Sequence, residues 1–194
     1  EKDASLAALL KQSVSDGTLT LLTGQSAETR TSLGSMAATL TDIDRCRTTY
    51  TEILGSPPRH WARRRFGMTA SLPSLLVYFG FESALHFALD DGLYPDKEYS
   101  QFDWQAPDGS RIPAASRIPL AIDSASGFLR LADRYNESMQ DDHTAALFLA
   151  RLPVLKTPWL NDLQIATNYA PVLGEFASID ALVHVCSGDR TTER

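Results

Sequence analysis

Apolar residues recur every three or four positions in several stretches of the chain, and this spacing predicts amphipathic helices. The longest stripe predicts a helix over Met36–Leu54, which Gly55 and the two prolines that follow should end. Another helix should begin near Ser71 and end near Gly80. The same spacing predicts helices over residues 6–14, 128–139, 159–169 and 178–186.

Short apolar segments lie between these helices and predict strands over residues 18–22, 60–66, 82–89 and 145–152. Residues 101–104 and 111–121 flank the turn sequence Pro107-Asp108-Gly109, which predicts an inserted hairpin. Strands that alternate with helices indicate a mostly parallel β/α fold. Ligands bind such folds at the carboxyl ends of the strands, so the candidate sites follow Leu22, Phe66, Leu89 and Leu152.

The overall composition is that of a globular domain. The chain has 194 residues, of which 43% are apolar and 22% are charged. Its net charge of −6 provides no basic field for nucleic acid or an anionic membrane. No apolar run reaches the roughly 20 residues that span a bilayer. We expect one domain over residues 1–187 with a polar tail over 188–194, cut from a longer, soluble protein. The compartment stays open, with a cytoplasmic location slightly favoured.

The cysteines and histidines show no spacing that predicts a metal site. Cys46 and Cys186 lie far apart on the apolar sides of predicted helices, so two buried thiols are expected rather than a disulfide. His60, His143 and His184 have no zinc-ligand spacing. The chain also lacks the glycine-rich phosphate loops and the serine elbow of common enzyme classes.

Charged residues follow two of the predicted strands. Glu28 follows the first strand, where it could face a ligand or be a solvated loop acid. Three successive arginines, Arg63, Arg64 and Arg65, cannot all point into a core, because neighbouring side chains on a strand point to opposite faces. They predict either an anion pocket or ion pairs with the acids around Asp90 and Asp91.

The end of the strand over residues 82–89 carries another group of reactive side chains. Asp90 and Asp91 could share a proton or hold a metal, with His86 in the same strand. The alternative is that His86 is a satisfied core histidine and that the two carboxylates diverge too far to act together.

One stretch of sequence resembles the catalytic barrel of glycoside hydrolase family 38, the α-mannosidases. It runs Trp61-Ala62-Arg63-Arg64-Arg65-Phe66-Gly67-Met68, followed by Ser71-Leu72-Pro73 and Gly80-Phe81. In the family, a strand led by tryptophan ends in Asp-Pro-Phe-Gly-His-Ser, before a helix with Leu-Pro and Gly-Phe. Flanking segments are similar to the family in the same order: Asp16-Gly17-Thr18-Leu19, Phe102-Asp103-Trp104 and Leu173-Gly174-Glu175-Phe176.

The resemblance implies part of a seven-stranded β/α barrel of the family 38 type without the family's catalytic centre. The family's nucleophilic aspartate falls on Arg64, and its histidine falls on Met68. The family's acid/base aspartate should follow the strand ending near Leu152, where the chain instead reads Pro153-Val154-Leu155-Lys156. Family members also bind zinc, but its ligands are not found in this chain, so we expect no cofactor. A guanidinium can neither attack an anomeric carbon nor ligate zinc.

The leading hypothesis is therefore a degenerate or sugar-binding relative of the α-mannosidases. An anionic saccharide would be held by Arg64 and stacked on Trp61 or Trp159, with His86 nearby. One alternative is an active hydrolase that uses Asp90 or Asp91, with Glu28 as a further candidate. Another is a structural barrel segment that packs on the remaining domains of a longer protein or forms a homo-oligomer. Nucleic acid and membranes are not expected partners.

Overall fold

The computed structural model describes residues 2–22, 24–30, 33–65, 69–88, 98–142, 146–151, 158–169, 174–185 and 191–193. Their helices are α1 (Lys2–Ser15), α2 (Met36–Leu54), α3 (Leu72–Tyr78), α4 (Ala125–Leu129), α5 (Leu131–Asp142), α6 (Pro158–Tyr169) and α7 (Ile179–Val185). Their strands are β1 (His60–Arg63), β2 (Ser83–Phe87), β3 (Tyr99–Gln105), β4 (Arg111–Arg117), β5 (Leu120–Ala121), β6 (Leu149–Ala150) and β7 (Thr191–Glu193).

Helix α2 has the bounds that its apolar stripe predicts, because a local signal fixes each end. At the start, the Ser35 hydroxyl accepts a hydrogen bond from the Ala38 N–H at 3.2 Å. At the end, Gly55 adopts φ 89° and donates its N–H to the Thr51 carbonyl at 2.9 Å. Helix α3 begins after Ser71 as predicted, although the Ser71 side chain makes no capping hydrogen bond.

The larger sheet has the strand order β1-β2-β4-β3-β7. Strands β1, β2 and β4 run parallel, with Arg63 beside His86 and His86 beside Ser116. Strands β3 and β4 form the antiparallel hairpin that the turn at Pro107-Asp108-Gly109 predicts. Leu22 also bridges to His60 in parallel, so the chain before β1 lies at the free side of β1.

Four predicted segments differ from the structure. Residues 18–22 do not form a strand; within them only Leu22 pairs with β1, through a single bridge. Residues 111–121 divide into β4 and β5, which pair with different partners, β2 and β6. The strand predicted over residues 145–152 shortens to β6, and the helix predicted over 128–139 becomes α4 and α5, which separate at Arg130.

The core lies between the larger sheet and helices α2 and α3. Its buried side chains include Ile43, Trp61, Leu76, Phe102 and Ile112. The mostly parallel α/β fold with an inserted hairpin is thus confirmed. Closure into a seven-stranded barrel stays a prediction, since the described strands form one five-stranded sheet and a separate pair.

Two further sequence expectations concern the cysteines and the membrane. Cys46 is buried on α2, as expected, and Cys186 lies outside the described residues. Each described helix is too short or too polar to cross a lipid bilayer.

Candidate functional site

A cleft of about 330 Å³ opens at the carboxyl end of β1. One wall comes from residues 24–30, here called the cleft loop, through Gly24, Gln25 and Glu28. The other wall comes from residues 61–64, with Trp61 and Arg64 included. The cleft therefore lies where the sequence predicts ligands to bind, after Leu22 and at the end of the strand that follows.

The arginines at the end of β1 lie in two different environments. Trp61 and Arg63 point to the same face, since they lie two residues apart on the strand. Trp61 is 1% exposed, and its ring centroid lies 6.1 Å from that of Trp104. The guanidinium carbon of Arg63 lies 5.1 Å from the centre of the Trp61 ring. Arg63 is consequently buried, although it lies in a run of arginines at the end of a strand.

The cleft loop supplies the acceptors for the buried Arg63. One guanidinium nitrogen donates to the Thr29 carbonyl at 2.7 Å, and another donates to the Gln25 side-chain oxygen. The Nε atom of Arg63 is buried and has no hydrogen-bond partner among the described residues. Burial lowers the pKa of Arg63, and the nearby Glu28 carboxylate opposes that shift.

Arg64 is the first residue after β1, and 63% of its side chain is exposed. Its backbone N–H donates to Oε1 of Glu28 at 2.5 Å, and the N–H of Arg65 donates to the same oxygen at 2.9 Å. The second carboxylate oxygen of Glu28 lies 3.8 Å from Nε of Arg64. Glu28 thus ties the cleft loop to the end of β1 through one carboxylate oxygen.

His86 lies beside Arg63 on the neighbouring strand and is fully buried. Its Nδ1 atom lies 3.4 Å from the Ser116 hydroxyl, and its Nε2 atom has no partner among the described residues. Burial lowers the pKa of His86, Glu28 opposes the shift, and Arg63 adds to it. Burial therefore favours the neutral form of His86.

The structure brings only some of the predicted site residues together. Trp61, Arg64 and Glu28 line the cleft, and His86 lies beside it. Trp159 is half-buried on α6 and donates its indole N–H to the Ile122 carbonyl at 3.1 Å, away from the cleft walls.

The roles of these residues stay predictions. With 1% of its surface exposed, Trp61 offers almost no ring face on which a sugar could stack. Asp90 and Asp91 lie outside the described residues.

Sequence reasoning missed two features of the cleft. Arg63 was not distinguished from its neighbours, and Gln25 was not considered. The burial of Trp61 indicates that Arg63 is buried too, because a core tryptophan two positions earlier places that arginine on the buried face. No signal in the sequence marks Gln25, whose contact with Arg63 joins residues that are 38 positions apart.

A second polar network lies at the opposite end of β1 and β2. Nδ1 of His60 lies 2.7 Å from the Ser83 hydroxyl, and Nε2 of His60 lies 3.1 Å from the Asp180 carboxylate. A serine, histidine and aspartate in a chain can form a nucleophilic site, but Ser83 is fully buried. Because Asp180 belongs to α7, the network instead connects that helix to the sheet.

The zinc that the family resemblance implies does not fit the described part of this site. Across the described ranges, histidine, cysteine, aspartate and glutamate side chains form no group of three that could hold a metal ion. The buried guanidinium of Arg63 would also repel a divalent cation in the cleft. The expectation of no cofactor stays a prediction.

The sequence matches no protein-family model and none of the curated proteins. Two solved structures show what its fold is. The chain shares its α/β fold with a 4-α-glucanotransferase and an α-mannosidase.

One similar structure is the 4-α-glucanotransferase from Thermococcus litoralis, with a TM-score of 0.64 and 16% identity over 97% of this chain and 30% of that chain. The other is an α-mannosidase from Enterococcus faecalis, with a TM-score of 0.60 and 14% identity over 94% of this chain and 22% of that chain. The chain spans less than a third of either structure's length.

Proposed function

We propose that this chain is a carbohydrate-binding relative of the α-mannosidases that has lost their chemistry and binds an acidic saccharide in the cleft at the end of β1. One observation carries the proposal: the cleft walls contain two guanidinium groups, those of Arg63 and Arg64, against a single described carboxylate, that of Glu28. The fold supports a sugar ligand, since one similar structure is named as a mannosidase and the other as a glucanotransferase.

The size and charge of the cleft suit such a ligand. Its volume of about 330 Å³ is at the lower end of the range for small-molecule sites, which suits one or two sugar rings. The exposed, planar guanidinium of Arg64 can form two parallel hydrogen bonds with a carboxylate or a sulfate group. A uronic or sulfated sugar therefore complements the cleft better than a neutral sugar.

Hydrolysis is the weaker hypothesis for these residues. Glycoside cleavage needs two carboxyl groups about 5–9.5 Å apart, one on each side of the scissile bond. Among the described residues of the cleft walls, Glu28 alone is acidic, and two backbone N–H groups already bind it. By the family resemblance, Arg64 occupies the position of the nucleophile. Hydrolysis that uses Asp90 or Asp91 stays a hypothesis to be tested.

Isothermal titration with a sulfated or uronic monosaccharide and its neutral parent sugar tests the proposal. We expect the acidic sugar to bind and Arg64→Gln to weaken that binding at least tenfold. Arg111→Gln is the matched control, because Arg111 is also exposed but lies at the amino end of β4. Equal binding of the neutral sugar would rule out recognition of an acid group, and no binding of either sugar would refute the proposed function.

A kinetic assay separates binding from catalysis. The proposal predicts no hydrolysis of an aryl α-mannoside, with or without added zinc. Turnover that is lost in Asp91→Asn would overturn the hypothesis that the chain has lost its catalytic activity, and it would establish the hydrolase alternative.

The structural alternative is favoured by one specific observation. Leu6 and Leu9 on α1 are more than half exposed, as is Met36 at the start of α2. Such apolar side chains suit a surface that packs against another domain or another copy of the chain. If packing is the whole function, we expect no sugar in a panel to raise the melting temperature, and Leu9→Gln to reduce self-association in sedimentation experiments.

A further inference from the structure

Two consecutive backbone N–H groups converge on one oxygen atom at the carboxyl end of β1. The N–H groups of Arg64 and Arg65 lie 2.5 and 2.9 Å from Oε1 of Glu28. Successive N–H groups that point into one concavity form a nest, which is a common binding site for anionic oxygen atoms. The group in this nest is a carboxylate from the protein itself.

The surroundings of the nest also favour an anion. Nε of Arg64 lies 3.8 Å from the second oxygen of Glu28. Arg63 lines the same cleft, is more than nine-tenths buried, and has an Nε atom without a partner among the described residues. A buried N–H donor that lacks an acceptor costs free energy, so an oxygen atom that reached it would be stabilised.

We propose that the N–H groups of Arg64 and Arg65, together with the Arg64 guanidinium, form an oxyanion site that Glu28 occupies in competition with external ligands. The proposal rests on the proposed function in that the natural ligand is the acid group of a saccharide. Its carboxylate or sulfate would take the place of the Glu28 carboxylate, which has the same chemistry.

The cleft loop has other anchors that let Glu28 leave without releasing the loop. Gln25 and Thr29 accept hydrogen bonds from Arg63, and the Ser26 N–H donates to the Asp42 carboxylate of α2 at 3.2 Å. These contacts lie on both sides of Glu28 in the loop sequence. Rotation of the Glu28 side chain would therefore open the nest while these contacts hold the loop in place.

The competition has a measurable effect on affinity. The apparent dissociation constant equals the intrinsic constant divided by the fraction of molecules in which the nest is open. If Glu28 fills the nest in about nine of ten molecules, its removal tightens anion binding about tenfold. Removal of a carboxylate elsewhere on the protein should leave the affinity unchanged.

The experiment titrates inorganic sulfate into the wild-type chain, Glu28→Ala and Glu137→Ala, and follows backbone amide NMR shifts. Glu137 is the matched control because it is also an acid paired with an arginine, 2.6 Å from Arg134 on α5. We expect sulfate to bind Glu28→Ala at least tenfold more tightly than the other two proteins and to shift the amides of Arg64 and Arg65. Equal affinity in Glu28→Ala and Glu137→Ala, or unshifted amides, would overturn the proposal.

Glu28→Gln keeps the inference testable if Glu28→Ala does not fold. Its amide fills the same space without the negative charge, so we expect sulfate to bind more tightly than to the wild type. No gain in this folded variant would overturn the proposal.

Titration of a sulfated sugar separates this inference from the proposed function. Sulfate binding to Glu28→Ala without any sugar binding would refute the proposed function and leave the oxyanion site standing. Acidic sugar binding that is the same in Glu28→Ala and Glu137→Ala would support the function and refute the competition by Glu28.

Discussion

A methyl group at position 24 would collide with the indole ring of Trp61. A Cβ atom on the Gly24 backbone would lie 2.1 Å from Cδ1 and 2.7 Å from Nε1 of that ring, well inside van der Waals contact. The ring has little room to retreat, because it is 1% exposed and packs against Trp104 and Arg63. Gly24 is thus required by the close approach of the cleft loop to the core.

The cost of Gly24→Ala follows from overpacking. Extra methyl groups in a tightly packed site cost about 1–3 kcal/mol. For a domain of this size each 1 kcal/mol lowers the melting temperature by about 2–4 °C, so the expected loss is about 2–12 °C. Thermal unfolding followed by circular dichroism measures it.

A double-mutant cycle identifies the collision as the cause. Trp61→Val removes the ring atoms that the new methyl group would meet, and a β-branched residue suits a strand. In that background Gly24→Ala should cost at least 1 kcal/mol less than in the wild type, roughly the size of coupling seen between contacting residues. A fall of less than 1 °C in the wild-type background, or the same cost in both backgrounds, would refute the argument.

Three further predictions concern stability. Since burial lowers the pKa of His86 below its ordinary value of 6.5, the unfolded chain gains a proton first as the pH falls, and stability present above pH 6.5 is lost below it. Urea unfolding at pH 7.5 and 5 should show a flatter pH dependence in His86→Gln. Ser35→Ala should cost about 1 kcal/mol in urea unfolding, because Ala38 loses its N-cap acceptor. Arg134→Met should cost about 2–3 kcal/mol in the same assay, since Glu98 loses the nearer of its two arginine partners, at 2.7 Å. A cost below 0.5 kcal/mol for either variant would contradict the importance of its contact.

Local signals made the helices and the hairpin predictable. The bounds of α2 follow from its apolar period together with Ser35 and Gly55, all of which act within a few residues. The hairpin follows from a turn in which the Ser110 N–H donates to the Asp108 side chain at 2.9 Å and Gly109 adopts φ 89°. The short strands were harder to predict, since the length of a strand depends on which partner strand lies beside it.

The site was predictable only in part, because it combines segments that are distant in sequence. The position of a candidate site after β1 follows from the parallel β/α pattern, and Glu28 follows from its place in the preceding loop. The contact between Glu28 and Arg64 joins residues 36 positions apart, and no local rule specifies it. As a result, Glu28 was considered as a ligand-facing or solvated acid, whereas it is hydrogen-bonded to the end of β1.

The roles of the two cleft arginines follow from a single structural fact, the burial of Trp61. A buried Trp61 fixes which face of β1 meets the core, and Arg63, two residues later, must then find its acceptors inside the protein. Those acceptors come from the cleft loop, so hydrogen bonds from the Arg63 guanidinium hold the loop against the strand. The loop neutralises the charge of that guanidinium only in part. Arg64 follows the last residue of β1, and its exposed guanidinium adds to the positive charge of the buried Arg63. If the cleft binds anions as proposed, it does so because of how the core is packed, and any residue that displaced Trp61 would change the charge of the site as well as its shape.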